Sequence, residues 1–539
     1  MSMLGVSQLA SVPLEPRIPL SAQIVGRQLP VQDVVLSRRE ITVPPIGKST
    51  ALNPLEQIDI RVSSANDFVV PSSFVLEFDL VNLAQTSGGA DSDDATFDDI
   101  PAVAILDRLD VKVGGQLLER LEEVGSKTTA EIYAHASKDY YNFVCANLMG
   151  AYKFNDQDGG SGAVGGGLSI LTFPTISGAD ATNAGVGTIQ NYYNAIALGL
   201  TAQSQSRAGV VARQQLATAG AYTAPVNYVA NTTAGVPAVG AGRQFYPGQG
   251  VMRCQVPLAL VCGFCQSLEL FPLSFVSELN FLFTLALANK AMYSPTASDV
   301  LNYRVDNVRL HYDAVEMSQD FIRATAKLLS SGDESMGFHK PIQTYTTRKI
   351  SLPTLTSGSA TKVDGVATIA TPFLNSLLIW TRKSSVAVNE WNTSGMPCPF
   401  DDVGTSRTDA NIQIQIGSTR FPYTQPLDSA VAVYAHNLRE MGEIADVKGT
   451  SNVNTFRTLI DSTTTAGQFY VYQNFHSLVG TESQAEPLEL ESFDTNQFAG
   501  QIVYSGNYDT LDGTGWENVV LAKHSKVFAL SGGSARIMG

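Results

Sequence analysis

The sequence predicts an all-β chain built from two similar antiparallel domains in tandem. Three observations predict it: apolar side chains alternate with period two in several segments, charge is sparse, and local patterns return about three hundred positions downstream. At 539 residues the chain has room for about two to four domains of roughly 100–200 residues. Only 16% of residues are charged while 44% are apolar, with 45 glycines, which suits short strands and turns rather than disorder or coiled coil. The net charge of −15 excludes a chain that coats nucleic acid by neutralising phosphates.

The strands follow from the alternation. Leu279, Phe281, Phe283, Leu285 and Leu287 occupy every second position, with Glu278, Asn280 and Thr284 between them. Phe74, Leu76, Phe78 and Leu80 alternate with Glu77 and Asp79. Leu109, Val111 and Val113 alternate with Arg108, Asp110 and Lys112, and Ile412, Ile414 and Ile416 with Gln413 and Gln415. A sheet with one buried and one wetter face requires this period. The same reading removes a membrane span: the most apolar region, 268–288, is interrupted by Glu269, Ser274, Glu278, Asn280 and Thr284.

The chain also resembles itself. Arg39-Glu40-Ile41-Thr42-Val43-Pro44 returns as Arg348-Lys349-Ile350-Ser351-Leu352-Pro353, an offset of 309. Pro71 ahead of one strand matches Pro372 ahead of Leu377-Leu378-Ile379-Trp380, an offset of 301. Val113-Gly114 matches Ile416-Gly417, and Ile132-Tyr133-Ala134-His135 matches Val433-Tyr434-Ala435-His436. The spacing is too long for a solenoid, so it predicts two related domains. Helices are expected near 127–138, capped by Ser126, and near 429–441, capped by Asp428 or Ser429 and closed by Gly442. A connector helix is predicted over 318–329, broken by Ser330-Ser331-Gly332-Asp333, so that the second domain starts near 337. The stretch 151–249 has 16 of the 45 glycines, seven charged residues and no counterpart in the second half. It reads as a long surface excursion of the first domain.

Candidate chemistry is thin. Gly160-Ser161-Gly162-Ala163-Val164-Gly165 has dinucleotide-loop spacing but lacks the strand and helix such a loop needs. Cys262-Gly263-Phe264-Cys265 lacks the further ligands zinc requires and reads as a buried thiol pair. Five cysteines in so long a chain form no disulfide framework and suit a reducing compartment. The acidic runs Asp91-Ser92-Asp93-Asp94 with Asp98-Asp99, and Asn155-Asp156-Gln157-Asp158-Gly159, lack the calcium-loop pattern and read as solvated turns. The histidines 135, 311, 339, 436, 476 and 524 are scattered, and hydrolase and zincin motifs are absent. Asn231-Thr232-Thr233 and Asn392-Thr393-Ser394 fit the glycan acceptor pattern, but the N-terminus has no basic residue before Arg17 and so lacks a secretory start. No catalytic, cofactor-binding or metal-ligating residue is assigned.

Two tandem β domains, a short helix in each and a long polar excursion resemble the double jelly-roll major capsid proteins of icosahedral DNA viruses, the lineage of adenovirus hexon, virophages, polinton-like viruses and large algal viruses. The residues carrying the resemblance are Leu106-Asp107-Arg108-Leu109-Asp110-Val111-Lys112-Val113-Gly114-Gly115-Gln116-Leu117-Leu118-Glu119, Leu270-Phe271-Pro272-Leu273, and Asn307-Val308-Arg309-Leu310-His311-Tyr312-Asp313-Ala314-Val315-Glu316-Met317. It covers roughly residues 31–539. It implies two eight-stranded jelly-roll barrels: an N-terminal arm over 1–30, a first barrel over 31–317 with the insertion 151–249, a connector over 318–336, and a second barrel over 337–539. It further implies a non-enzymatic virion protein forming homotrimers that tile an icosahedral shell, with neighbouring trimers, penton and minor capsid proteins, and an underlying viral membrane as potential partners. Direct genome binding is not expected. Among rivals, a two-cupin enzyme would need a close histidine pair, which is missing. A carbohydrate- or receptor-binding fibre or adhesin would bind glycan as an isolated protein.

Overall fold

The computed structural model describes residues 35–64, 67–89, 95–137, 140–145, 148–151, 245–246, 251–267, 270–276, 278–294, 297–330, 338–353, 361–390, 392–396, 410–422, 425–441, 469–475, 493–508, 515–531 and 534–538. The N-terminal arm, the glycines 160–165, the acidic runs 91–94 and 155–159, Asn231, Gly332, Cys398, Gly442 and His476 lie outside them. No helix among the described residues is long and apolar enough to cross a membrane.

The first half contains β1 (Val35–Val43), β2 (Gln57–Val62), β3 (Asp67–Val69), β4 (Val75–Asn82), β5 (Thr96–Phe97), β6 (Leu106–Val113), β7 (Gln116–Glu122), β8 (Phe245–Tyr246), β9 (Val251–Pro257), β10 (Leu279–Leu285), β11 (Met292–Tyr293) and β12 (Tyr303–Met317). A helix over Gln319–Ser330 leads into β13 (Phe338–Ser351), β14 (Thr361–Thr368), β15 (Leu374–Lys383), β16 (Gln413–Ile416), β17 (Thr419–Phe421), β18 (Val471–Asn474), β19 (Gln501–Tyr508), β20 (Trp516–Ser531) and β21 (Ser534–Met538).

The order of these strands defines the architecture. In the first half one sheet runs β1-β12-β4-β9-β8 and the other β2-β10-β6-β7; in the second half they run β13-β20-β15-β18 and β14-β19-β16-β17. Numbering along the chain the eight strands of each half that make up these four-strand runs (β1, β2, β4, β6, β7, β9, β10 and β12, then β13 to β20), both halves give one sheet ordered first, eighth, third, sixth and a facing sheet ordered second, seventh, fourth, fifth. That winding is the jelly roll, and it occurs twice. The sheets of the two halves are separate, while one apolar cluster runs through both barrels.

Alternation places the core as expected. Along β10 the exposure alternates strictly, with Leu279, Phe281, Phe283 and Leu285 fully enclosed. Leu76, Phe78 and Leu80 of β4 and Leu109, Val111 and Val113 of β6 face the same interior. Each large apolar side chain so enclosed contributes about 1.5–3 kcal/mol. The turn from β6 to β7 passes through Gly114 and Gly115, both at positive φ (56° and 81°), the backbone that a two-residue hairpin with right-handed strand twist requires. Its equivalent from β16 to β17 turns at Gly417 (φ 61°), where any Cβ would lie 2.1 Å from the ring of Phe498.

Three expectations need correction. Leu287 is not part of the β10 face: the strand ends at Leu285, Ala286 bonds back to Ile105, and Leu287 precedes a one-turn helix, 49% exposed. Ser126 does not cap the first helix, which spans Val124–His135 and starts from Glu123 in a left-handed conformation (φ 57°). In the second helix, Ala430–Glu440, Ser429 does cap, its hydroxyl accepting from the Ala432 N–H. Finally, the match of Arg39–Pro44 to Arg348–Pro353 falls on the equivalent strands but six residues out of register. With Leu76 aligned to Leu377, ladder pairing carries Leu76 through Leu310 to Val43, and Leu377 through Ala522 to Thr346, an offset of 303.

Candidate functional site: the seam between the barrels

The polar groups that sequence alone scatters along the chain gather where the barrels meet. The first barrel contributes the end of β7, the helix Val124–His135, a short helix over Gly263–Ser267 and the segment 288–294; the second contributes β13, β15, β18, β20 and residues 388–390 and 392–394.

At one end of the seam Glu119 is enclosed. Its carboxylate accepts from the N–H groups of Gly263 (3.1 Å) and Phe264 (3.2 Å) and from the Thr344 hydroxyl of the second barrel (2.9 Å). Burial pushes the Glu119 carboxyl above the usual range, and those three donors and Lys127 offset only part of that rise. Gly263 is required by contact: a Cβ there would lie 1.4 Å from the Gln343 carbonyl oxygen of β13. Beside it the buried Lys127 ammonium donates to the Val261 carbonyl (2.9 Å), pairs with Glu131 (2.6 Å) and sits 3.7 Å over the Tyr345 ring. A desolvated cation over an aromatic face is worth about 2 kcal/mol.

At the centre, the left-handed turn at Glu123 aims its carboxylate at cations from both barrels. Lys290 (2.6 Å) comes from the first; Lys349 (2.6 Å) and Arg382 (3.4 Å) come from the second. Burial would raise the Glu123 carboxyl, but Arg382 and Lys290 together hold it far below the usual carboxylate range. Arg382 also donates to Ser126 (2.9 Å) and pairs with Glu517 (2.9 Å). Ser126, expected as a helix cap, therefore serves as a seam acceptor instead.

Further along, Asp98 accepts from the N–H groups of Thr393 (2.9 Å) and Ser394 (3.3 Å) and from the Ser394 hydroxyl. The Thr393 hydroxyl donates to the Lys290 carbonyl and the Asn392 amide to the Asn289 carbonyl, both at 2.7 Å. The sequence Asn392-Thr393-Ser394 is thus consumed in the seam. Asp98 and Asp99 are buried acceptors rather than members of a solvated turn, Asp99 taking the hydroxyls of Tyr133 and Tyr141. Ring contacts complete the join, Phe271 on Phe528 (5.9 Å) and His135 edge-on to Tyr472 (5.1 Å).

Cys145, Cys254, Cys262 and Cys265 are buried free thiols. Burial and the Cys262 side chain push the Cys265 thiol well up, and burial pushes Cys145 up to about 12, so neither supplies a thiolate near neutrality. Among the described residues no group of three or more His, Cys, Asp and Glu is placed to hold a metal ion. The two Tyr-Ala-His triplets have diverged: His135 is exposed at the seam edge, whereas His436 is buried and held neutral, lowered to about 4 by burial and Arg439. Sequence reading missed the seam because its partners lie far apart along the chain, Glu119 225 positions from Thr344 and Asp98 296 from Ser394.

The seam is heterologous. The fifth-strand side and following helix of one barrel meet the first-eighth-third-sixth sheet of the other, so each of these surfaces has a counterpart on the other barrel.

No protein-family model matches the sequence, and no curated protein matches it. Solved structures do. A chain in the structure of the Sputnik virophage is 13% identical, with a TM-score of 0.51 over 98% of this chain and 92% of that one. The Faustovirus major capsid protein is 9% identical, with a TM-score of 0.48 over 92% and 91% of the two chains. The mavirus major capsid protein is 7% identical, with a TM-score of 0.46 over 98% and 92%. At such identities a likeness speaks for fold, and it agrees with the strand order: the chain is a double jelly roll, a fold it shares along nearly its whole length with the Sputnik virophage chain.

Proposed function

We propose that this protein is the major capsid protein of an icosahedral DNA virus, a structural, non-enzymatic component of the virion. The observation that carries the reading is the pair of jelly rolls of identical winding locked side by side by a buried polar seam. Such a chain is a rigid two-barrel block, and three of them supply six barrels, a near-hexagonal unit able to tile a large shell. The fold it shares with a chain of the Sputnik virophage particle supports the same assignment.

On this reading residues 1–30 form an arm that orders against neighbours, 31–317 the first barrel with the excursion 151–249 toward the outer surface, 318–336 the connector, and 337–539 the second barrel. The partners are further copies of the chain, first within a homotrimer and then between trimers, with penton and minor capsid proteins at special positions. A net charge of −15 suits a wall that does not grip its genome and restrains premature clustering of preformed trimers.

Sedimentation and negative-stain imaging of the purified full chain test the proposal. The expected result is compact hexagonal particles of three chains. A monomer that binds glycan would overturn it in favour of an adhesin.

A further inference from the structure

The motif that the capsid reading leaves unused, Cys262-Gly263-Phe264-Cys265, lies on the seam. Cys262 and Cys265 are 1% and 0% exposed, and their side chains hydrogen-bond to each other. Cys262 opens the short helix Gly263–Ser267, its carbonyl accepting the Gln266 N–H (3.3 Å). Three positions apart in one helical turn, the two Cα atoms stand about 5 Å apart, inside the roughly 4.4–6.8 Å that a disulfide spans. The pair is reduced, adjacent and placed to bond, and its spacing is that of a redox dithiol.

The second barrel closes over this turn. The Gly263 and Phe264 N–H groups donate to Glu119, which also takes the Thr344 hydroxyl. Gly263 abuts the Gln343 carbonyl with no space for a Cβ. The Phe264 ring meets Phe271 at 5.3 Å, and Phe271 in turn meets Phe528. The Tyr345 hydroxyl donates to the Gln266 side chain at 3.4 Å. Cys254 differs: it lies on β9, paired with Phe78 of β4, and is enclosed inside the first barrel. Docking of the second barrel thus covers the thiol pair, whereas the first barrel's own fold covers Cys254.

We propose that Cys262 and Cys265 are a disulfide site gated by the seam: docking of the second barrel keeps the pair as a dithiol, and a disulfide oxidant such as glutathione disulfide converts it only where the barrels have parted. In the opened chain one cysteine thiolate attacks a sulfur of glutathione disulfide and expels a glutathione thiolate. The other cysteine thiolate then attacks the sulfur of the first, closing the Cys262–Cys265 bond and expelling the second glutathione thiolate. The pair loses two electrons, glutathione disulfide gains them, and the two cysteine protons end on the two glutathiones. The gate acts within one chain, so it stands apart from the capsid reading.

Alkylation and peptide mass mapping of the full chain after exposure to glutathione disulfide test it. Thr344→Asp sets a second carboxyl against the enclosed Glu119 and alters only the second barrel. The expected result is a wild type whose pair stays reduced, and a T344D chain of unchanged circular dichroism that forms the Cys262–Cys265 disulfide at least about tenfold faster, with Cys254 untouched. Equal rates in the two folded chains would overturn the gate. Wild type in rising urea gives a second reading that needs no variant. There the pair is expected to oxidise at a lower urea concentration than the one at which Cys254 becomes open to alkylation, and loss of both protections together would overturn the proposal.

Discussion

The third strands of the two barrels, β4 and β15, show what the seam asks of a sequence. Both run through the middle of equivalent sheets and bury Leu76, Phe78 and Leu80, or Leu377, Ile379 and Thr381, in their own cores. Their other faces differ. On β4 that face carries Glu77 and Asp79, Asp79 being held by Arg253 at 2.8 Å and by Asn307 at 2.7 Å. On β15 the matching positions are Leu378 and Trp380, followed by Arg382, all enclosed. Asp79 is itself buried, but its partners come from its own barrel and Arg253 reaches solvent, whereas a strand sandwiched between two barrels must bury apolar groups, or charges that find partners across the seam. Identical winding has thus been kept while one surface was rewritten for contact.

The strongest way to break that comparison is Arg382→Met. It leaves Glu123 with one fewer cation and Glu517 without its closest one, and breaking a buried pair from one side costs about 3–5 kcal/mol. Urea unfolding would show the loss. Replacing Arg253, which pairs with the buried Asp79 but is itself partly exposed, costs less. An Arg253→Met loss equal to that of Arg382→Met would mean that the seam is no more demanding than the outer face of β4.

The twin histidines sharpen the comparison through pH. His436 is lowered to about 4 in the folded chain, against about 6.5 when unfolded. The unfolded chain therefore binds the proton more readily, and stability is intact above about pH 6.5 and falls as pH drops towards 4. His436→Gln is expected to flatten this part of the stability curve. Equal slopes for wild type and H436Q in chemical unfolding from pH 7 to 4 would refute the assignment.

How much of this was legible follows from how far each signal reaches along the chain. The alternation of β10 and the glycine turn after β6 are local, so the barrels could be read from spacing. The register of the first strands could not: Arg39 and Arg348 look alike, yet pairing through β12 and β20 sets the offset. The seam was hidden for a different reason. Glu119, Glu122 and Glu123 look like an ordinary solvated strand end, and groups far along the chain, Gly263 and Lys290 as well as Thr344, Lys349 and Arg382, turn two of them into enclosed partners. Even Ser126 misled for this reason, because a serine near a helix start is locally a cap and globally, here, an acceptor for Arg382.

The smallest expected effect separates those two roles of serine. Ser429 precedes Ala430–Glu440 with extended backbone (φ −146°), and its hydroxyl accepts the Ala432 N–H at 3.3 Å. Ser429→Ala removes one cap and is expected to cost about 1 kcal/mol, an effect confined to that helix. Ser126 is the third residue of its helix and caps nothing; its hydroxyl takes a hydrogen bond from buried Arg382 at 2.9 Å. Ser126→Ala leaves that charged donor short of an acceptor in a closed space, at about 1–3 kcal/mol. The two substitutions delete the same atom at the start of twin helices, so thermal unfolding of both tests whether burial at the seam, rather than helix capping, sets the difference. A larger loss for S429A than for S126A would reverse the proposed ranking of the two helices.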